Sequence, residues 1–251
     1  MNQRLPQVIQ TRAEVTKLFI SDNSDTVHDT EKAVLGVRTL LTLCVAFHED
    51  IGIGARFDAV ALLAKADNIL ISAFSLASQR AYFETMILLR VALETASTAY
   101  AITDDANIYN EYSTKGYHFK STTSIKYAKK AIRIIGEIYG AFSTAVIHQN
   151  RNFYGPTVDS DEDGKPSFGI VIGENKPINP ELQDWLILHY IGLVANIITR
   201  LAELMLLDQI GDNDSHFHIP GSNYEMLMPS KYQIDRYWYM LTHKDTWPSK
   251  P

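Results

Sequence analysis

Apolar residues recur at the helical period along most of the chain. Val34, Val37, Leu41 and Val45 fall on one face of a predicted helix running to Phe47, with Asp29 and Thr30 placed to cap its start. A shorter amphipathic helix is expected before it, over Arg12–Ile20, ended by the polar run Ser21–Asp25. Gly52 and Gly54 interrupt the pattern. A third helix is predicted from Phe57 to about Ser78, and a fourth from about Gln79 to Ile102, closed by Asp104 and Asp105. An irregular aromatic stretch follows, then one helix from about Ser121 to His148. Pro180 suits the first turn of a long apolar helix over Glu181–Leu207. Gly211–Gly221 reads as loop, and Lys231–Leu241 as a short last helix.

The period changes at about 150–180. Asn152-Phe-Tyr-Gly-Pro-Thr-Val and Ser167-Phe-Gly-Ile-Val-Ile flank the polar run Asp159–Pro166, the pattern of two short strands around a turn. The predicted fold class is all-α: a helical bundle with a small β-hairpin insertion between helices. The chain carries no low-complexity tract, linker or internal repeat, so residues 1–251 are expected to form a single helical domain.

A chain 46% hydrophobic and 21% charged is neither disordered nor collagenous. Its formal net charge of −6 excludes general coating of nucleic acid, leaving only a local patch. One cysteine, Cys44, excludes an internal disulfide and any multi-cysteine metal site. The most apolar stretch, Trp185–Leu207, carries His189, Asn196, Arg200 and Glu203, which points to a buried central helix and not a membrane span. A cytoplasmic location without a membrane partner is the expectation.

Several groups of residues could carry chemistry. Arg90 and Glu94 stand four apart on an otherwise apolar helix, where a buried charge needs a partner. They are either an ion pair fixing helix register or an anion-binding guanidinium held by a carboxylate. Lys115, Lys120, Lys126, Lys129, Lys130 and Arg133 form a stretch with no acidic residue between Tyr112 and Gly136, interleaved with Tyr117, His118, Phe119 and Tyr127. Such a mixture suits phosphates and unstacked bases, or else is a solvated face; Arg151 lies beyond it. Ser143 and His148 are five apart near a predicted helix end, where the dipole favours an imidazolium. No Gly-x-Ser-x-Gly elbow accompanies the serine, so a serine hydrolase is not expected.

Metal signals are incomplete. Asp159-Ser-Asp-Glu-Asp-Gly begins like a calcium loop, but the twelfth position is Ile170 and Pro166 interrupts it. His216 and His218 could meet Asp212 or Asp214 around zinc, or belong to an ordinary polar loop. No metal site and no cofactor are assigned. Arg236 and His243, seven apart on the last predicted helix, can share a face.

The apolar Leu89-Arg-Val-Ala-Leu-Glu helix, followed by a helix ending Ser-x4-His, resembles uncharacterised bacterial helical proteins related to the HEPN superfamily. The resemblance covers roughly Ala73–Arg151. It implies a helical bundle, often dimeric, of a superfamily in which many members are metal-independent ribonucleases of toxin–antitoxin and phage-defence systems. Their motif is Arg-x4-6-His. Here His148 matches the histidine, while Ser143 stands where Arg is expected. The resemblance thus implies an intracellular bacterial nucleic-acid- or nucleotide-binding regulatory module, with RNA or a nucleotide as partner. The alternatives are a metal-independent endoribonuclease using His148, Arg90, Glu94 and Ser143, and a structural subunit. A homo-oligomer or a partner protein is expected.

Overall fold

The computed structural model describes residues 5–46, 54–146, 156–160, 166–170, 180–210, 216–218 and 225–227, with 234, 238–239 and 241–242. The fold class is all-α. Its helices are α1 (Leu5–Asp22), α2 (Ser24–Ala46), α3 (Ala55–Ser78), α4 (Tyr82–Asp104), α5 (Ala106–Lys115), α6 (Ser121–Ala131), α7 (Ile135–Val146) and α8 (Pro180–Ile210), with one 3-10 turn at Gly116–His118.

Four helices make the central bundle. α2, α3, α4 and α8 pack in a ring, each against the next, and α3 also meets α8. On α3 the buried positions Ala59, Leu63, Ala66, Leu70, Ala73 and Ala77 follow the helical period and are mostly alanine. Small residues let the backbone of α4 approach closely, so α3 and α4 share an extensive antiparallel interface. α4 is itself rich in buried small residues (Ala92, Ala96, Ser97, Ala99), and α6 and α7 close over its outer side. The expected central helix is observed: in the most apolar 18-residue window of Gln183–Met205, 83% of the residues are buried. By length and composition, this segment and Ala55–Ser78, where a third of the corresponding window is buried, are both long and apolar enough to cross a membrane.

Several boundaries differ from the sequence expectation. α1 extends well beyond Arg12–Ile20, and the polar run does not form a loop, because only Asn23 separates α1 from α2. Asp29 and Thr30 are interior to α2 and not caps; Thr30 Oγ1 donates to Thr26 O at 2.8 Å and to Leu188 O at 3.3 Å, a bond between α2 and α8. Asp105 does not merely end α4. Its carboxylate accepts from the Asn107 and Ile108 amides at 2.8 and 3.3 Å, starting α5 in the stretch expected to be irregular. The single helix expected over Ser121–His148 is two helices. Ile132 is extended at the end of α6, and a turn at Arg133 and Ile134 redirects the chain before α7.

Of the hairpin expected at about 150–180, residues 150–155, 161–165 and 171–179 lie outside the described residues. The last predicted helix is described only at 234, 238–239 and 241.

Candidate functional site

Two neighbouring surfaces hold the predicted site residues, and α4 underlies both. On the first, Arg90 Nε donates to Glu94 Oε1 at 3.1 Å, one helical turn along α4. Arg90 Nη2 reaches across to Tyr139 Oη on α7 at 3.0 Å, and the guanidinium carbon lies 5.0 Å from the centre of the Tyr139 ring. Arg90 is therefore held by a carboxylate, a phenol and a π-face together. Arg90 and Glu94 keep about a fifth of their side chains exposed (19% and 20%), so an anion can approach the guanidinium from solvent. Ser143 lies one turn beyond Tyr139 on α7. Its Oγ is buried and has no hydrogen-bond partner among the described residues. His148, Arg151, Arg236 and His243 lie outside the described residues.

The second surface is α6. Ser124, Ile125 and Ala128 turn inward, while Lys126, Lys129 and Lys130 are exposed. Lys130 Nζ lies 4.5 Å from the centre of the Tyr127 ring. Arg133 sits 3.7 Å from Glu137, and Lys115 pairs with Glu111 at 2.7 Å. Lys120, Lys126 and Lys129 make no ion pair among the described residues. Two of the interleaved aromatics, Phe119 and Tyr127, are half-buried and engaged by their neighbours. Tyr127 Oη donates to Asp104 Oδ2 at 2.6 Å; this bond first, then burial, raises the phenol pKa. Its ring centre is 6.1 Å from that of Tyr100. Phe119 meets Tyr112 edge-on at 5.5 Å, and both Phe119 and Tyr127 pack on the core. The side chain of Tyr117 lies outside the described residues, and His118 is exposed.

A third cluster carries no sequence motif. The peptide at Arg80 closes the α3 C-terminus: Ala81 N–H donates to Leu76 O at 3.0 Å and Arg80 N–H to Ala77 O at 2.8 Å. This is the Schellman arrangement, whose left-handed position glycine usually fills, yet here Arg80 adopts φ 58°. Its side chain explains the choice. Arg80 Nη2 donates to Asp184 Oδ2 at 2.8 Å, Nε lies 3.3 Å from both carboxylate oxygens, and Asp184 is 1% exposed. Tyr82 Oη donates to Asp184 Oδ1, and Asn23 Nδ2 to Oδ2 at 3.4 Å. Burial foremost, and then the bond to Asp184, pushes the Tyr82 phenol pKa up. Asp22 lies 3.8 Å from Arg80 on the solvent side. The only signal in the sequence is a lone arginine where a helix stops.

Among the described residues no group of three or more His, Cys, Asp or Glu could hold a metal ion. The side chains of Asp159, His216 and His218 lie outside the described residues, as do positions 161–165, 212 and 214. Set against known proteins, the chain matches no family model, no curated protein and no solved structure.

Proposed function

We propose that this chain is an intracellular bacterial helical protein of HEPN-like type that binds nucleic acid or a nucleotide as a regulatory module in a defence or stress system. The observation that carries the reading is the α6 face. Three lysines on two successive turns, Lys126 and then Lys129 and Lys130, project from an amphipathic helix whose other side is buried, and neither Lys126 nor Lys129 has a carboxylate partner among the described residues. A protein with net charge −6 that keeps such a face uncompensated has a local site for a polyanion. Titration of a labelled RNA at two salt concentrations tests it. Salt-sensitive binding that weakens on K126E/K129E supports the reading; binding indifferent to both salt and substitution refutes it.

The second reading, a metal-independent endoribonuclease, draws support from the α4–α7 seam. Arg90 is turned onto α7 at Tyr139, one turn before Ser143, on the helix whose chain continues to His148. An arginine from α4 in place of the one missing from the motif would supply phosphate charge stabilisation. RNA cleavage in EDTA that disappears in His148→Ala and in Arg90→Ala supports this reading, and an uncleaved RNA refutes it. The hairpin also belongs to this proposal. Its support is the antiparallel register running from Pro156↔Ile170 to Ser160↔Pro166.

A further inference from the structure

The α6 surface separates two chemistries that the sequence mixes, and the separation bears on what kind of nucleic acid fits. Single-strand binders combine cationic grooves with exposed aromatic rings on which successive bases stack. Here Tyr127 is committed on three sides, to Asp104 through its hydroxyl, to Tyr100 beside it, and to Lys130 over its face. Phe119 is committed to Tyr112 and the core. On α6 itself the long side chains left outward are Lys126, Lys129 and Lys130, positive charge on a rigid frame. Lys126 and Lys129 stand one turn apart on α6, and Lys120 precedes its first residue. Neighbours at this spacing lie about 5–6 Å apart at Cβ. A duplex offers one negative charge per about 1.7 Å of axis, a denser target than a single strand, and presents it without any base being splayed.

Resting on the nucleic-acid reading above, we infer that α6 docks on the phosphodiester backbone of a duplex through Lys120, Lys126 and Lys129 and makes no stacking contact with bases. Binding is then independent of sequence. The three lysines give a log–log salt slope of about −3, each neutralised phosphate contributing about −0.9.

The test uses the full chain and fluorescence anisotropy of four labelled probes of random sequence: duplex RNA, duplex DNA, and the single strand of each. A mononucleotide serves as competitor. The expected result is duplex binding at least about fivefold tighter than single-strand binding, a slope near −3, and a slope near −1 in K126E/K129E. Tyr127→Leu, with its helicity checked by circular dichroism, keeps single-strand affinity within about twofold because no base rests on that ring. RNA and DNA duplexes bound alike identify the shared backbone as the ligand. Tighter single-strand binding, or a tenfold loss in Tyr127→Leu, overturns the duplex inference and leaves the nucleic-acid reading standing. Competition by the mononucleotide at micromolar concentration overturns it in favour of a nucleotide pocket. Absence of binding to all four probes overturns both.

Discussion

Replacing Glu203 by glutamine should make the protein more stable above neutral pH and leave it no more stable below about pH 4.5. Glu203 is fully buried on α8, 0% exposed. One oxygen accepts from Arg200 Nη1 at 2.9 Å, and the other has no hydrogen-bond partner among the described residues. Burial raises its pKa from 4.5 to about 7, against the opposing pull of Arg200. A folded-state value above the unfolded one means that the native protein holds the proton more tightly. Its stabilising contribution is therefore complete below about pH 4.5 and fades as pH rises to about 7. At about 1.4 kcal/mol per pH unit, ionising Glu203 costs the fold about 3 kcal/mol by pH 8. Glutamine cannot ionise and keeps an oxygen for Arg200. Urea unfolding followed by circular dichroism, at half-unit steps from pH 4.5 to 8, gives the difference between the two proteins at each pH. Subtracting one profile from the other removes every other titrating group. The expected difference grows by about 3 kcal/mol in favour of Glu203→Gln across that range. Parallel profiles would refute the reasoning, since they would mean that Glu203 is solvated or paired when ionised.

Substitutions at three further positions probe the packing. Arg80→Ala and Arg80→Gly both strip Asp184 of its cation, a loss of about 3–5 kcal/mol, but the glycine variant should be about 1 kcal/mol the more stable because glycine adopts φ 58° freely. Equal thermal midpoints for the two variants would show that the left-handed backbone stores no strain. Phe142→Ala should cost about 3–5 kcal/mol in urea unfolding, since its buried ring meets Tyr190 edge-on at 5.5 Å and ties α7 to α8; a loss below about 1 kcal/mol would mean that α7 packs loosely. Gly136→Ala places a methyl 2.8 Å from Lys129 Cδ, the flexible stem of an exposed side chain. It should therefore gain about 0.5 kcal/mol of helix propensity, and a lower melting temperature would show that Lys129 is fixed in place.

Periodicity sufficed for what depends on neighbours in the chain. The α8 stretch announced its burial through an apolar run interrupted by too many polar groups for lipid, and Arg90–Glu94 could be paired from a spacing of four. Polarity alone misled at the α1–α2 junction, where Asn23 turns the chain with its side chain on Phe19 O and Asp184 instead of in a loop. α5 was hidden because its aromatics, Tyr109 and Tyr112, pack on the core from a short, polar helix that depends on the Asp105 cap. The lysines of α6 were visible as charge, but the direction of the Tyr127 side chain is set by Asp104, 23 residues away. Tyr139 and Asp184 escaped for the same reason at greater distance. They lie 49 and 104 residues from the arginines they hold, and no local pattern records such a meeting.

The Asp184 carboxylate joins the α1–α2 junction through Asn23, the α3–α4 turn through Arg80, the first turn of α4 through Tyr82, and the start of α8 through its own backbone. Segments remote in sequence thus meet at one atom group, and none can open without exposing it. The consequence is kinetic as well as structural. Amide protons at the ends of these helices, which ordinarily exchange fastest, should exchange here as a single unit with one shared opening free energy. In Asp184→Asn, which keeps the shape and removes the charge, that unit should split, and the α1–α2 junction should exchange ahead of the bundle interior.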